Sequence, residues 1–198
     1  MRKKFLAKAL IGFLGVGIFT ATVPNFYETG EAMTLVDDAV FYDLNFDAST
    51  GVEKTLTVDG RAVKFIAYEN IVYVRNPANV AAQSLSIYIP AEYLSGGTIN
   101  GYTAKTAPIF MPNGVGGYMP GEIQSPAEKS HFSNSPNASL VALSRGLVVV
   151  SPAIRGRTTV TDGVYVGKAP SFIVDYKAAV RYLRYNKNRL PAGDTEKI

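Results

Sequence analysis

The continuous apolar run Leu147-Val148-Val149-Val150 constrains this chain more than any other feature. Four such residues without polar alternation fit a strand buried on both faces, the environment of a parallel sheet. Helical patterns lie on either side. Residues 136–144 read as one helix, with Ser135 as its cap, Pro136 in the first turn and Gly146 as its stop. Residues 172–186 read as a second, with Ser171 as its N-cap and Asp175 in its early turns. Ile173, Tyr176, Val180 and Leu183 follow helical spacing there, and Arg184, Lys187 and Arg189 crowd the C-terminal end.

Earlier in the chain the pattern is that of strands. Residues 54–58 and 62–67 are rich in β-branched and aromatic side chains, and Asp59-Gly60 between them is a hairpin signal. Residues 71–74, 84–89 and 107–111 extend the series, and Lys197-Ile198 reads as the opening of one more strand. Antiparallel strands followed by strand, helix, strand, helix predict an α/β architecture, with a mixed sheet that turns parallel.

Composition removes several classes of function. Among 198 residues there is no Cys and one His, so thiolate zinc sites, disulfides, a Cys nucleophile and His-rich metal sites are excluded. No cofactor is expected. Arg2, Lys3, Lys4 and Lys8 supply the formal charge of +4, because the other sixteen basic residues equal the sixteen acids. A neutral body gives a nucleic-acid role no electrostatic support. Residues 1–23 have the build of a secretory signal peptide, basic and then apolar, which places the protein outside the cytoplasm, secreted or periplasmic and cell-surface. Contact with a membrane is expected only through this leader, if it stays uncleaved. Residues 24–53 read as a connector, and residues 54–198 as the folded domain.

The stretch Phe110-Met111-Pro112-Asn113-Gly114-Val115-Gly116-Gly117-Tyr118 carries the chemistry. An apolar strand feeds glycines whose bare amides can approach a ligand. A phosphate cradle fits poorly, since the third glycine of its spacing and a following Lys are missing and Pro120 intrudes. An oxyanion hole on the loop after a strand is the other functional reading, and a plain tight turn is the simplest structural one.

Several segments together resemble the N-terminal part of bacterial secreted α/β-hydrolases, close to the tannase and feruloyl-esterase-like carboxylesterases. They are Ser86-Ile87-Tyr88-Ile89-Pro90, the loop Pro112 to Tyr118, Val148 to Arg157 with its Arg-Gly-Arg turn, and Asp175 to Arg184. The loop departs from the common His-Gly-Gly-Gly form, since Pro-Asn precedes the glycines and Val115 interrupts them. The resemblance implies an incomplete α/β-hydrolase fold, with a small-molecule ester as partner. It further implies oxyanion donors at Gly116 and Gly117. Asn113, Arg155 and Arg157 are candidates for the substrate loop, where the two arginines either bind a substrate carboxylate or pin the loop.

An esterase of this kind needs Gly-x-Ser-x-Gly on a strand-to-helix elbow, then an acid and a His. No such motif occurs. Ala142-Leu143-Ser144-Arg145-Gly146 is the nearest, but it follows a helix and precedes a strand. Ser49 and Ser95 lack the first glycine, and His131 lies in a polar loop. The resemblance therefore places the catalytic Ser and its partners beyond Ile198 and predicts that this chain alone is inactive. It also leaves residues 107–111 as an open apolar edge. The alternative from another class is a secreted, non-catalytic binding module.

Overall fold

In a computed structural model the described residues are 41–114 and 116–198. The expected signal peptide and residues 24–40 of the expected connector lie outside them. The chain divides after Asp38, and the unit from Ala39 to Ile198 carries the fold.

Its centre is a five-stranded mixed sheet in the order β1-β2-β3-β5-β4. Strand β1 (Val52–Val58) and β2 (Arg61–Val72) form the expected hairpin, in register from Val58 opposite Arg61 to Val52 opposite Ala67. Asp59 and Gly60 take φ of 48° and 76°, the left-handed pair that a two-residue hairpin turn requires. Residues 62–67 and 71–74 were expected as separate strands. Instead β2 runs through, with a register shift between Tyr68 and Ile71 where Asn70 takes φ 60°.

Strand β3 (Ser84–Pro90) pairs antiparallel with β2 and β5, and it is buried along its whole length. Strand β4 (Ile109–Phe110) is shorter than the predicted 107–111. It pairs parallel with β5 (Val148–Pro152), in which all five residues are buried. The apolar run thus lies where its pattern placed it, in the sheet interior. On the outer side of β4, Pro108 bridges Asp194 in parallel and the Ile109 amide donates to the Lys197 carbonyl at 2.8 Å. The expected open edge is therefore met at Pro108 by Asp194 and at Ile109 by Lys197, the first residue of the run read as a nascent strand.

Alternation along the strands feeds two apolar layers. Leu85, Ile87, Ile89, Val148 and Val150 pack with Ala179, Tyr182 and Leu183 of helix α2 (Ser171–Tyr185). Tyr88 and Val149 point the other way, to Phe65 and to Ala142 and Leu143 of helix α1 (Ala138–Ser144). Residues 41–53 are tied to the first layer. Phe46 is buried edge-on to Tyr68, and its amide donates to the Asn186 side chain at 2.9 Å.

Both predicted helix caps need correction. Helix α1 starts at Ala138, and Asn137 caps it by accepting from the Leu140 amide at 3.0 Å. Ser135 lies outside, because its neighbour Pro136 belongs to the incoming loop rather than the first turn. Ser171 is the first residue of α2 rather than its cap, and its hydroxyl is buried without a partner among the described residues. A further hairpin, β6 (Val160–Thr161) and β7 (Val164–Tyr165), turns through Asp162 and Gly163 with φ of 49° and 78°.

Candidate functional site

The two parallel strands β4 and β5 deliver their C-terminal ends to one place, where open α/β sheets keep their ligands. The glycine loop leaves β4, and the Arg-Gly-Arg turn leaves β5. Gly121 and Ile154 join the two in a bridge, amide to carbonyl in both directions at 3.0 and 2.9 Å. The Arg157 amide donates to the Tyr118 carbonyl at 2.7 Å. Gly156 permits this closeness. A Cβ there would collide with the backbone of Met119 and Pro120, so only glycine lets the two turns touch.

Within the loop, the Met119 amide donates to the Gly116 carbonyl at 3.0 Å. Gly117 and Tyr118 between them take φ of 58° and 60°, the signature of a type I′ turn. Gly116 and Gly117 are exposed, and a Cβ at either would meet no atom within 4 Å. Neither amide has an acceptor among the described residues. Two bare donors thus stand exposed on the loop that leaves the C-terminal end of β4.

The flanks of the loop are held by α2. The Tyr176 hydroxyl donates to the Asn113 Oδ1 at 2.9 Å. Burial raises the phenol's pKa, which keeps it in the protonated, donating form. The Tyr118 ring meets Phe172 edge-on, with centroids 5.0 Å apart.

Arg155 and Asp175 form a buried ion pair beside these contacts. Arg155 Nη2 lies 2.8 Å from Asp175 Oδ1, and its Nε donates to Oδ2 at 2.9 Å. The Arg155 amide also donates to Oδ2, and Gln83 Nε2 donates to Oδ1, both at 3.0 Å. The remaining guanidinium nitrogen, Nη1, reaches the Val166 carbonyl at 3.1 Å. Hydrogen bonds donated to Asp175 raise the Arg155 pKa above its ordinary value. Asp175 itself is wholly buried, so the residue read as lying in the helix's early turns is the anchor of the β5–α2 connection. The Arg157 residue is exposed, and its side chain makes no ion pair among the described residues.

A cleft of about 750 Å³ opens beside the loop, lined by Gly114, Pro120, Glu122, Gln124 and His131 among others. His131 is exposed on a turn, next to the fully exposed Phe132. The three serines weighed as nucleophiles spend their hydroxyls locally. Ser144 donates to the Val141 carbonyl, Ser95 to the Glu92 carbonyl and Ser49 to Asp47. No group of three or more His, Cys, Asp or Glu side chains among the described residues could hold a metal ion.

Sequence reasoning found the glycine loop and the Arg-Gly-Arg turn, but missed Tyr176, Phe172 and Gln83 as their supports. The spacing of 172 and 176, one helical turn apart, was the available signal.

No protein-family model and no curated protein matches the chain. Solved structures do. Tannase from Fusobacterium nucleatum is 45% identical over 79% of this chain, with a TM-score of 0.76. Tannase from Lactobacillus plantarum is 47% identical over 79%, with a TM-score of 0.72. A tannin acyl hydrolase solved in complex with ethyl gallate is 46% identical over 78%, with a TM-score of 0.71. The chain spans 32–34% of the length of these proteins. Within the third of a tannase that it spans, the chain resembles the tannases in both sequence and fold.

Proposed function

We propose that this chain is the oxyanion-loop part of an exported carboxylic-ester hydrolase of the tannase kind. The carrying observation is the pair of exposed, unaccepted amides at Gly116 and Gly117, at the C-terminal ends of β4 and β5. The similarity to tannases at 45–47% identity supports the reading. In this mechanism a Ser hydroxyl, activated by a His and an acid beyond Ile198, attacks the ester carbonyl. The carbonyl oxygen becomes an oxyanion, and the two amides donate to it where the charge develops. Such a donor is worth about 10²–10³ in rate, but only where a nucleophile is present. The chain alone is accordingly inactive, an incomplete α/β-hydrolase that stops before the elbow.

Phenolic esters are the substrates this reading favours, since structures of tannin acyl hydrolase similar to this chain were solved with ethyl gallate and with 3,4-dihydroxybenzoate. Arg155 acts as a scaffold residue, its guanidinium being committed to Asp175 and Val166. Arg157 and Asn113 border the substrate. Export rests on the leader, residues 1–23.

The test is expression of the polypeptide encoded by the complete reading frame, beside the 198-residue chain, with methyl gallate as substrate. Hydrolysis by the former and none by the latter is expected. An inactive full-length product that still binds a polysaccharide would favour the secreted binding module instead.

A further inference from the structure

A Cβ built at Gly116 or Gly117 would meet nothing within 4 Å, so the direction of their amides depends on what holds the residues around them. Two of those tethers come from one element. Helix α2 is fixed in the core through Ala179, Tyr182 and Leu183, and through Asp175 in its ion pair with Arg155. From that base Tyr176 reaches Asn113 on the entry side of the turn, and Phe172 reaches Tyr118 within it. The Arg157 amide holds the Tyr118 carbonyl as a third tether. Tyr118 takes φ 60°, a conformation few non-glycine residues adopt unless their surroundings impose it.

We infer that Tyr176 and Phe172 are positioning residues that set the aim of the Gly116 and Gly117 amides from α2, an inference resting on the oxyanion reading of those amides. The two side chains lie one helical turn apart and grip the loop before the turn and within it. The helix therefore transmits its own rigid placement to two amides that have no acceptor among the described residues. Neither side chain needs to touch substrate.

The experiment uses Tyr176→Phe, which keeps the ring and deletes the hydroxyl, and Phe172→Leu, which keeps an apolar contact and deletes the edge-on pairing. In the 198-residue chain, backbone ¹⁵N order parameters at Gly114, Gly116 and Gly117 are expected to fall from near 0.85 to below about 0.6, the range of flexible backbone. Those of β5 and α2 stay unchanged. In the polypeptide of the complete reading frame, kcat for methyl gallate is expected to fall about 10- to 100-fold, with KM within about twofold, because only transition-state contacts are disturbed. A loop that stays ordered in both variants overturns the inference. So does a loosened loop with unchanged kcat. A parent without activity overturns the esterase reading alone, and the order parameters then still decide whether α2 holds the loop.

Discussion

Removing the Asp175 carboxylate strands four donors at once. Asp175 is fully buried and receives Arg155 through Nε and Nη2, the Arg155 amide and the Gln83 side chain. The Arg155 side chain is only 14% exposed, so Asp175→Ala leaves a largely desolvated cation facing an empty space. Breaking one side of such a pair costs about 3–5 kcal/mol. For a domain of this size each kcal/mol moves the midpoint by about 2–4 °C, so a loss of roughly 6–20 °C in Tm is expected. Arg155→Met should cost a similar amount, since it strands the carboxylate. The double variant Asp175→Leu with Arg155→Met removes both charges and should be less destabilised than either single change. Thermal melts followed by far-UV circular dichroism suit a chain without Trp. An Asp175→Ala midpoint close to the parent's, or a double variant whose loss equals the sum of the singles, would refute the reasoning.

Two further outcomes follow from the same contacts. Gly156→Ala drives a methyl into the Met119–Pro120 backbone, which must move, so a loss of about 1–3 kcal/mol is expected together with shifted amide resonances at residues 116–119. Unshifted resonances would contradict the close approach. Stability should also fall at alkaline pH. Burial pushes the Tyr182 phenol up to about 12 and the Tyr73 phenol higher still. Their folded pKa values exceed the unfolded value near 10, so the stability they contribute is complete below pH 10 and is lost as pH rises through the folded values. Tyrosinate absorbance at 295 nm should therefore rise in two stages, exposed phenols first and buried ones with unfolding. One stage centred near pH 10 would contradict this.

Local chemistry made much of the fold legible. Asp59-Gly60 declared its hairpin, and the Leu147 to Val150 run declared a buried strand. Asp162-Gly163 carried the same turn signal between Val160-Thr161 and Val164-Tyr165, but strands of two residues give no periodicity to read. The caps went astray because Ser135, Asn137 and Ser171 are all residues that cap helices, and the path of the incoming loop decides among them. Order within the sheet, with β5 between β3 and β4, depends on pairing across distant sequence. The supports of the glycine loop were hidden for the same reason. Asn113 and Tyr176 are 63 residues apart, and Gln83 and Asp175 are 92 apart. The glycines advertised bare amides, whereas the helix that aims them looked like ordinary amphipathic packing.

The central claim is that those amides stabilise a developing oxyanion, and deleting one tests it most directly. Gly116→Pro removes the N–H at a position where added atoms at Cβ meet nothing. In the polypeptide of the complete reading frame, kcat for methyl gallate should fall about 10²- to 10³-fold with KM little changed. A kcat that matches the parent's, in a protein that folds as the parent does, would contradict the account.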